Sequence, residues 1–174
     1  AIPFLQGENV DGVSGATPLA KMKFEQIATD YIELLIGNTA GSLGETSAAL
    51  ILLGGVFLLF KKIINWRIPL SILITVTVFS SIFYFIDPVV YPSPLFMLLS
   101  GGLLLGTFYM ATDLVTSPLT PKGLWIYGIG IGIFVVLIRL WGGLPEGVMY
   151  AILLMNAATP LINKFARVRT YGYK

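Results

Sequence analysis

Five apolar runs joined by short connections leave this chain few folds to choose from. They cover residues 43–60, 68–86, 95–111, 124–140 and 147–162, each close to the roughly 20 residues that a helix needs to cross a hydrocarbon core of about 30 Å. Backbone in lipid must satisfy its own hydrogen bonds, so runs of this kind predict helices. Composition agrees: 56% of the 174 residues are hydrophobic and 11% are charged, against about 25% charged in soluble domains. The expected fold is all-α, a polytopic membrane bundle of about five transmembrane helices over residues 43–163. Two connections, 87–94 and 112–123, are rich in proline. Regular helix cannot run through them, so broken or re-entrant segments are expected there, buried in protein or lining a wet cavity.

The flanks differ from the bundle. Residues 1–17 mix Gly, Asn, Asp and Ser and read as an extended, exposed segment. Over 18–37, Leu19, Phe24, Ile27, Tyr31, Leu34 and Leu35 recur at helical spacing, with Lys21, Lys23, Glu25, Asp30 and Glu33 mostly elsewhere. An amphipathic helix on the membrane surface or packed on protein is expected there. If the five runs alternate, Lys61, Lys62, Arg67, Lys122 and the basic tail 164–174 share one side, while acidic residues dominate the N-terminal segment. The positive-inside rule makes the basic side, with the C-terminus, cytoplasmic and the N-terminal segment extracytoplasmic. The first residue is not methionine and no secretory leader is visible at the start, so the chain is expected to begin internally.

Gly102 and Gly106, and Gly128 and Gly132, lie four residues apart. This spacing predicts close helix packing. The Gly128–Gly132 stretch is no nucleotide loop, because no strand precedes it. The charged residues Asp87, Asp113, Arg139 and Glu146 fall at predicted helix ends, where solvated or snorkelling positions are expected. Arg139 and Glu146 bracket a short turn and are expected to be able to pair across it.

With no cysteine and no histidine, the chain lacks the usual ligands for an iron–sulfur cluster, a haem iron or a zinc ion. Redox work would need an organic cofactor. One heptad speaks to that: Asp11, Gly12, Val13, Ser14, Gly15, Ala16 and Thr17 match the signal for attaching a flavin nucleotide to threonine through a phosphoester. Asp11, Ser14, Gly15 and Ala16 form the attachment motif, and Thr17 is the acceptor. Small neighbours and a serine suit the open turn that a modifying enzyme must reach. Thr17 followed by Pro18 is equally a good helix N-cap and first-turn pair; a modified threonine can still begin the helix.

The runs Val10 to Ala20, Phe108 to Gly123 and Ile138 to Asn156, with Pro160 to Asn163, make the chain resemble the D-subunit family of the Rnf complex. That membrane assembly of bacteria and archaea couples electron transfer between ferredoxin and NAD to sodium or proton translocation. The family is homologous to the B subunit of the sodium-translocating NADH:quinone reductase. The resemblance implies a half of a urea-transporter-like helical fold, FMN held covalently at Thr17, and an inner-membrane, multi-pass location. It also implies partners: a flavin transferase for maturation, another flavin-carrying subunit, iron–sulfur membrane subunits and the lipid bilayer, with no nucleic acid. Family members run to about twice this length, so the chain corresponds to a C-terminal half. Leu114 stands where the family usually has proline.

A second, non-covalent flavin, riboflavin, is a further family expectation. Thr112, Asp113, Thr116 and Ser117 are the candidate residues for it or for a cation, being polar groups at an expected helix break; they serve equally well to satisfy loosened backbone carbonyls. Within an assembly the chain would carry electrons without being an enzyme alone. The competing readings are a channel or transporter for a small solute and a purely structural subunit whose heptad is only a helix cap.

Overall fold

The computed structural model describes residues 17–26, 29–37, 39, 47–88 and 90–166. Among them every regular element is a helix. The all-α membrane fold is therefore as expected, with three helices long and apolar enough to cross a membrane: α4 (Arg67–Ile86), α7 (Pro121–Trp141) and α8 (Val148–Phe165). Ahead of them come α1 (Pro18–Ala20), running directly into a π-helical turn (Lys21–Glu25), then α2 (Tyr31–Ile36) and the shorter apolar helix α3 (Ala48–Phe60). Between α4 and α7 lie α5 (Pro94–Leu99) and α6 (Leu103–Leu105), the latter continuing into a second π-helical turn (Gly106–Met110).

The glycine pair in α7 sets the centre of the bundle. A methyl group at Gly128 would collide with the Ser71 hydroxyl, and one at Gly132 would sit 2.7 Å from Thr75 Cβ and 3.3 Å from the Ile72 carbonyl oxygen. The two backbones therefore approach as closely as the spacing predicted. The register, with Ile68 and Ser71 beside Gly128 and Ile72 beside Gly132, makes α4 and α7 parallel. Helix α8 returns antiparallel, with Met155 against Gly130 and Ile162 near Gly123, and Tyr127 donates to Asn156 Oδ1 at 2.5 Å. Ile68, Ile72, Val76, Tyr127, Ile131, Val135 and Ala151 form the buried core of this trio.

Aromatic rings mark both ends. Trp66 and Trp125 meet edge to face at 6.3 Å at one end, and Phe83 and Trp141 at 4.9 Å at the other, as expected where rings collect at membrane–water boundaries. Of the described cations, Lys61, Lys62, Arg67, Lys122 and Lys164 lie at or beside the Trp66 end, whereas Lys21 and Lys23 are in the surface segment and Arg139 is in the last turn of α7. The surface segment lies at the Trp141 end, because Lys23 bonds to carbonyls at the C-terminus of α7.

Two elements depart from expectation. The single amphipathic helix expected over 18–37 is two short pieces: the first ends at Gln26, held at φ 55°, and α2 begins only after Asp30. Leu19 and Leu34 are buried, whereas Phe24 is exposed, so no single apolar face runs through both. Ile27 lies outside the described residues. The third apolar run, expected as one span over 95–111, is broken at 100–102, where Gly101 takes φ 66°.

Candidate functional site

Thr17 begins the surface segment. Its Oγ1 accepts from the Ala20 amide at 3.3 Å, its carbonyl accepts from the Lys21 amide at 2.9 Å, and Pro18 fills the first helical position. The residue is thus an N-cap in extended backbone, as its sequence neighbours foretold, and its side chain is only half-buried. Asp11, Ser14, Gly15 and Ala16, the remainder of the motif, lie outside the described residues.

One turn further on, Lys23 does what its sequence did not announce. Placed on the polar side by periodicity, it turns into the protein. Its ammonium, with three N–H groups, donates to the carbonyls of Arg139 and Leu144, both at 2.9 Å, and of Gly142, and the Ile138 carbonyl shares one of them at 3.4 Å. These carbonyls lie at or just past the C-terminus of α7, where helical donors run out and the negative end of the helix dipole falls; that of Ile138 also accepts from the Gly142 amide at 2.8 Å. Burial lowers the Lys23 pKa from its ordinary value, and the ring of carbonyls works against that loss of charge. The surface segment is thereby fastened to the end of a membrane helix.

Beneath it lies the broken third pass. Helix α5 ends at Ser100, and the Arg139 guanidinium, buried at 4% exposure, donates to the carbonyls of Met97 and, at 3.1 Å, of Ser100. Across the break, Glu146 Oε1 accepts from the Gly102 amide at 3.0 Å. A cation meets carbonyls at the end of one half-helix and a carboxylate meets an amide at the start of the next, each matched to the local dipole. This corrects the expectation for Arg139, which is buried rather than snorkelling. Gly101 is required here on two counts: its φ is positive, and a Cβ would strike both the Glu146 carboxylate and Leu19.

The third pass is also short. Phe108 packs on Gly55, and Tyr109 donates to the Ile51 carbonyl at 3.3 Å, so the pass runs out beside the middle of α3. Residues 111–120 complete the path to α7 without regular helix, as their prolines required. The candidate residues there divide. Thr112 is buried and donates to the Phe108 carbonyl at 2.8 Å. Asp113 is exposed; its carboxylate accepts from the Val115 amide at 3.3 Å and from the Thr116 hydroxyl at 3.1 Å. Ser117 is half-buried, and its amide donates to the Asp113 carbonyl at 3.3 Å. Asp113, Thr116 and Ser117 are therefore brought together as a turn, with Thr112 facing elsewhere. No group of three or more acidic ligands gathers among the described residues.

Between the surface segment and the bundle is a cavity of about 150 Å3, walled by Leu19 and Met22 from above, Tyr91 from the α4–α5 connection, Arg139 from α7 and Pro145 from the loop before α8, with Lys23 at its edge.

The sequence matches the NQR2, RnfD, RnfE family over residues 3–172. Among curated relatives, the D subunit of the ion-translocating oxidoreductase complex of Stutzerimonas stutzeri is 48% identical, covering 98% of this chain and 51% of its own. The D subunit of the Na(+)-translocating ferredoxin:NAD(+) oxidoreductase complex of Acetobacterium woodii is 45% identical over 93% of this chain and 50% of its own. The proton-translocating counterpart from Clostridium ljungdahlii is 43% identical over 97% and 54%. The chain spans about half the length of these relatives.

Proposed function

Since the chain belongs to the NQR2, RnfD, RnfE family, we propose that it is the flavin-bearing half of a membrane electron-transfer subunit, carrying FMN through a phosphoester on Thr17. The observation that carries this reading is the heptad ending at Thr17, in a chain of this family. The residues present fit such a group. The Thr17 hydroxyl is half-exposed at the head of the surface segment, and an ester oxygen keeps lone pairs for the Ala20 amide. FMN would supply one- and two-electron chemistry, while the protein contributes position and electrostatics. Lys23 fastens the segment to α7, so the attachment point has a fixed place over the bundle.

The whole protein would then work inside an ion-translocating ferredoxin:NAD oxidoreductase, passing electrons to cofactors on neighbouring flavin and iron–sulfur subunits, after a flavin transferase has loaded it. The cations clustered near the Trp66 end support a cytoplasmic placement of that end, which sets Thr17 on the extracytoplasmic face of a bacterial or archaeal inner membrane. Riboflavin or a cation near Asp113, Thr116 and Ser117 is the secondary reading of that turn. Sodium-linked and proton-linked relatives match this half to nearly the same degree, 45% and 43%, so overall similarity in this half does not separate the two ions.

The broken third pass is the one feature that favours a solute channel instead, yet Arg139 and Glu146 occupy the backbone groups at the break. Denaturing electrophoresis with in-gel flavin fluorescence decides. A fluorescent wild-type band that disappears in Thr17→Val is the expected result. A dark wild-type band from cells that make the transferase rejects the attachment and returns the heptad to a helix cap.

A further inference from the structure

The outer flank of the α4–α7 pair carries two cations at the head of an apolar furrow. Ser71 faces Gly128 and Thr75 faces Gly132, and this parallel register sets Arg67 level with Leu124 and Lys122 about 3 Å above it, two residues of helical rise. Arg67 stands one turn before Ser71 and Ile74 about one turn after it, while Lys122, Trp125 and Ile129 step down α7 at intervals of three and four. Each set therefore lines one face of its helix. The two faces meet opposite the buried core, because Trp66 reaches Trp125 edge to face at their head, and Ile74 and Ile129 are exposed below.

Neither cation has a carboxylate partner among the described residues. The Arg67 guanidinium lies 5.3 Å from the centre of the Trp66 ring, and its Nη1 has only the neutral Asn65 Oδ1, at 3.5 Å. The exposed Lys122 ammonium has no partner among the described residues. Positive charge above hydrocarbon fits a molecule with an anion at one end and a chain at the other. Free phosphate would gain nothing from Ile74 and Ile129, and a zwitterionic headgroup would bring its own ammonium against the two cations.

We propose that this flank binds an anionic phospholipid, with its phosphodiester between Arg67 and Lys122, its glycerol beside the tryptophan pair and an acyl chain in the furrow between Ile74 and Ile129. Tryptophans sit at headgroup level, and basic pockets between membrane helices take anionic headgroups. Stacking on Trp66 holds the Arg67 fork in place, so little side-chain freedom is lost when it closes on phosphate. The site lies at the opposite end of the bundle from Thr17 and is independent of the flavin.

The test uses the full-length protein in its purified complex, with Ile129 replaced by p-benzoylphenylalanine, in nanodiscs of equal parts dioleoyl phosphatidylglycerol and dioleoyl phosphatidylcholine. After illumination, the intact mass of the denatured subunit identifies the captured lipid. Phosphatidylglycerol adducts should exceed phosphatidylcholine adducts several-fold, and the excess should vanish when Arg67→Gln and Lys122→Gln are combined. It should persist when Lys61→Gln and Lys62→Gln are combined, which removes as much charge from the same end but none from this flank. Inorganic phosphate added at constant ionic strength should leave the excess unchanged. Adducts in the bulk ratio, capture of a neighbouring protein chain instead of lipid, or an excess that survives loss of Arg67 and Lys122 would each overturn the site. Equal loss in the Lys61 and Lys62 variant reduces it to a general positive field, and loss to inorganic phosphate makes it a free-anion site; either result overturns the proposal.

Discussion

Removing the Arg139 guanidinium takes a buried donor away from the Met97 and Ser100 carbonyls at the end of a half-helix. Arg139→Met should therefore lower stability by about 2–4 kcal/mol, the range for a buried charged hydrogen-bonding group lost from its partners, read as a fall in the thermal midpoint of the detergent-purified complex. Glu146 offers a graded contrast. Glu146→Gln keeps an oxygen for the Gly102 amide and should cost less than about 1 kcal/mol, whereas Glu146→Ala leaves that amide unpaired and should cost about 1–3 kcal/mol. Lys23→Met should cost less than Arg139→Met, because a dipole-facing charge at a partly exposed helix end contributes up to about 2 kcal/mol; its sharper effect is a surface segment cut faster by protease. These three residues were visible in the sequence as charges and nothing more. Their partners lie 39 to 121 residues away, and no local spacing encodes a contact of that range. Thr17 was legible because both of its roles, cap and acceptor, are written in its immediate neighbours.

Among the elements, α4, α7 and α8 follow the apolar runs closely, since hydrocarbon thickness and backbone satisfaction together dictate long uninterrupted helices. The Gly128 and Gly132 spacing foretold the close approach of α7 to α4, and a side chain there cannot be absorbed because Ser71 and backbone carbonyls stand in the way. Gly128→Leu should separate the two helices and abolish a monodisperse peak in size-exclusion chromatography of the detergent-solubilised complex. The Gly102 and Gly106 spacing misled in part. Only Gly106 packs in a helix, against Val148, while Gly102 lies in the break and serves through its amide. An apolar run with a glycine doublet looks the same whether the doublet packs or breaks the helix; the difference is made by Arg139 and Glu146. Gly101→Ala tests the break itself. Its positive φ costs a residue with a side chain about 1–2 kcal/mol, and the collision with Glu146 adds to that, so a loss well above that of Glu146→Gln is expected by the same thermal assay.

At the scale of the whole molecule, a broken pass, a surface segment and the clamps made by Lys23, Arg139 and Glu146 converge on one end of the bundle, while Lys61, Lys62, Arg67, Lys122 and Lys164 gather towards the other. Because the chain has no cysteine, single introduced cysteines report sidedness directly. Gln26→Cys should react with an impermeant maleimide on intact cells, and Lys164→Cys only after permeabilisation; the opposite pattern would invert the assigned orientation. The central claim is chemical, however, and one measurement reaches it most directly. Mass spectrometry of the proteolytic peptide containing Thr17, from protein matured with the flavin transferase, should show the mass of FMN less one water, with fragment ions assigning it to Thr17. An unmodified Thr17 peptide throughout that preparation would contradict the account.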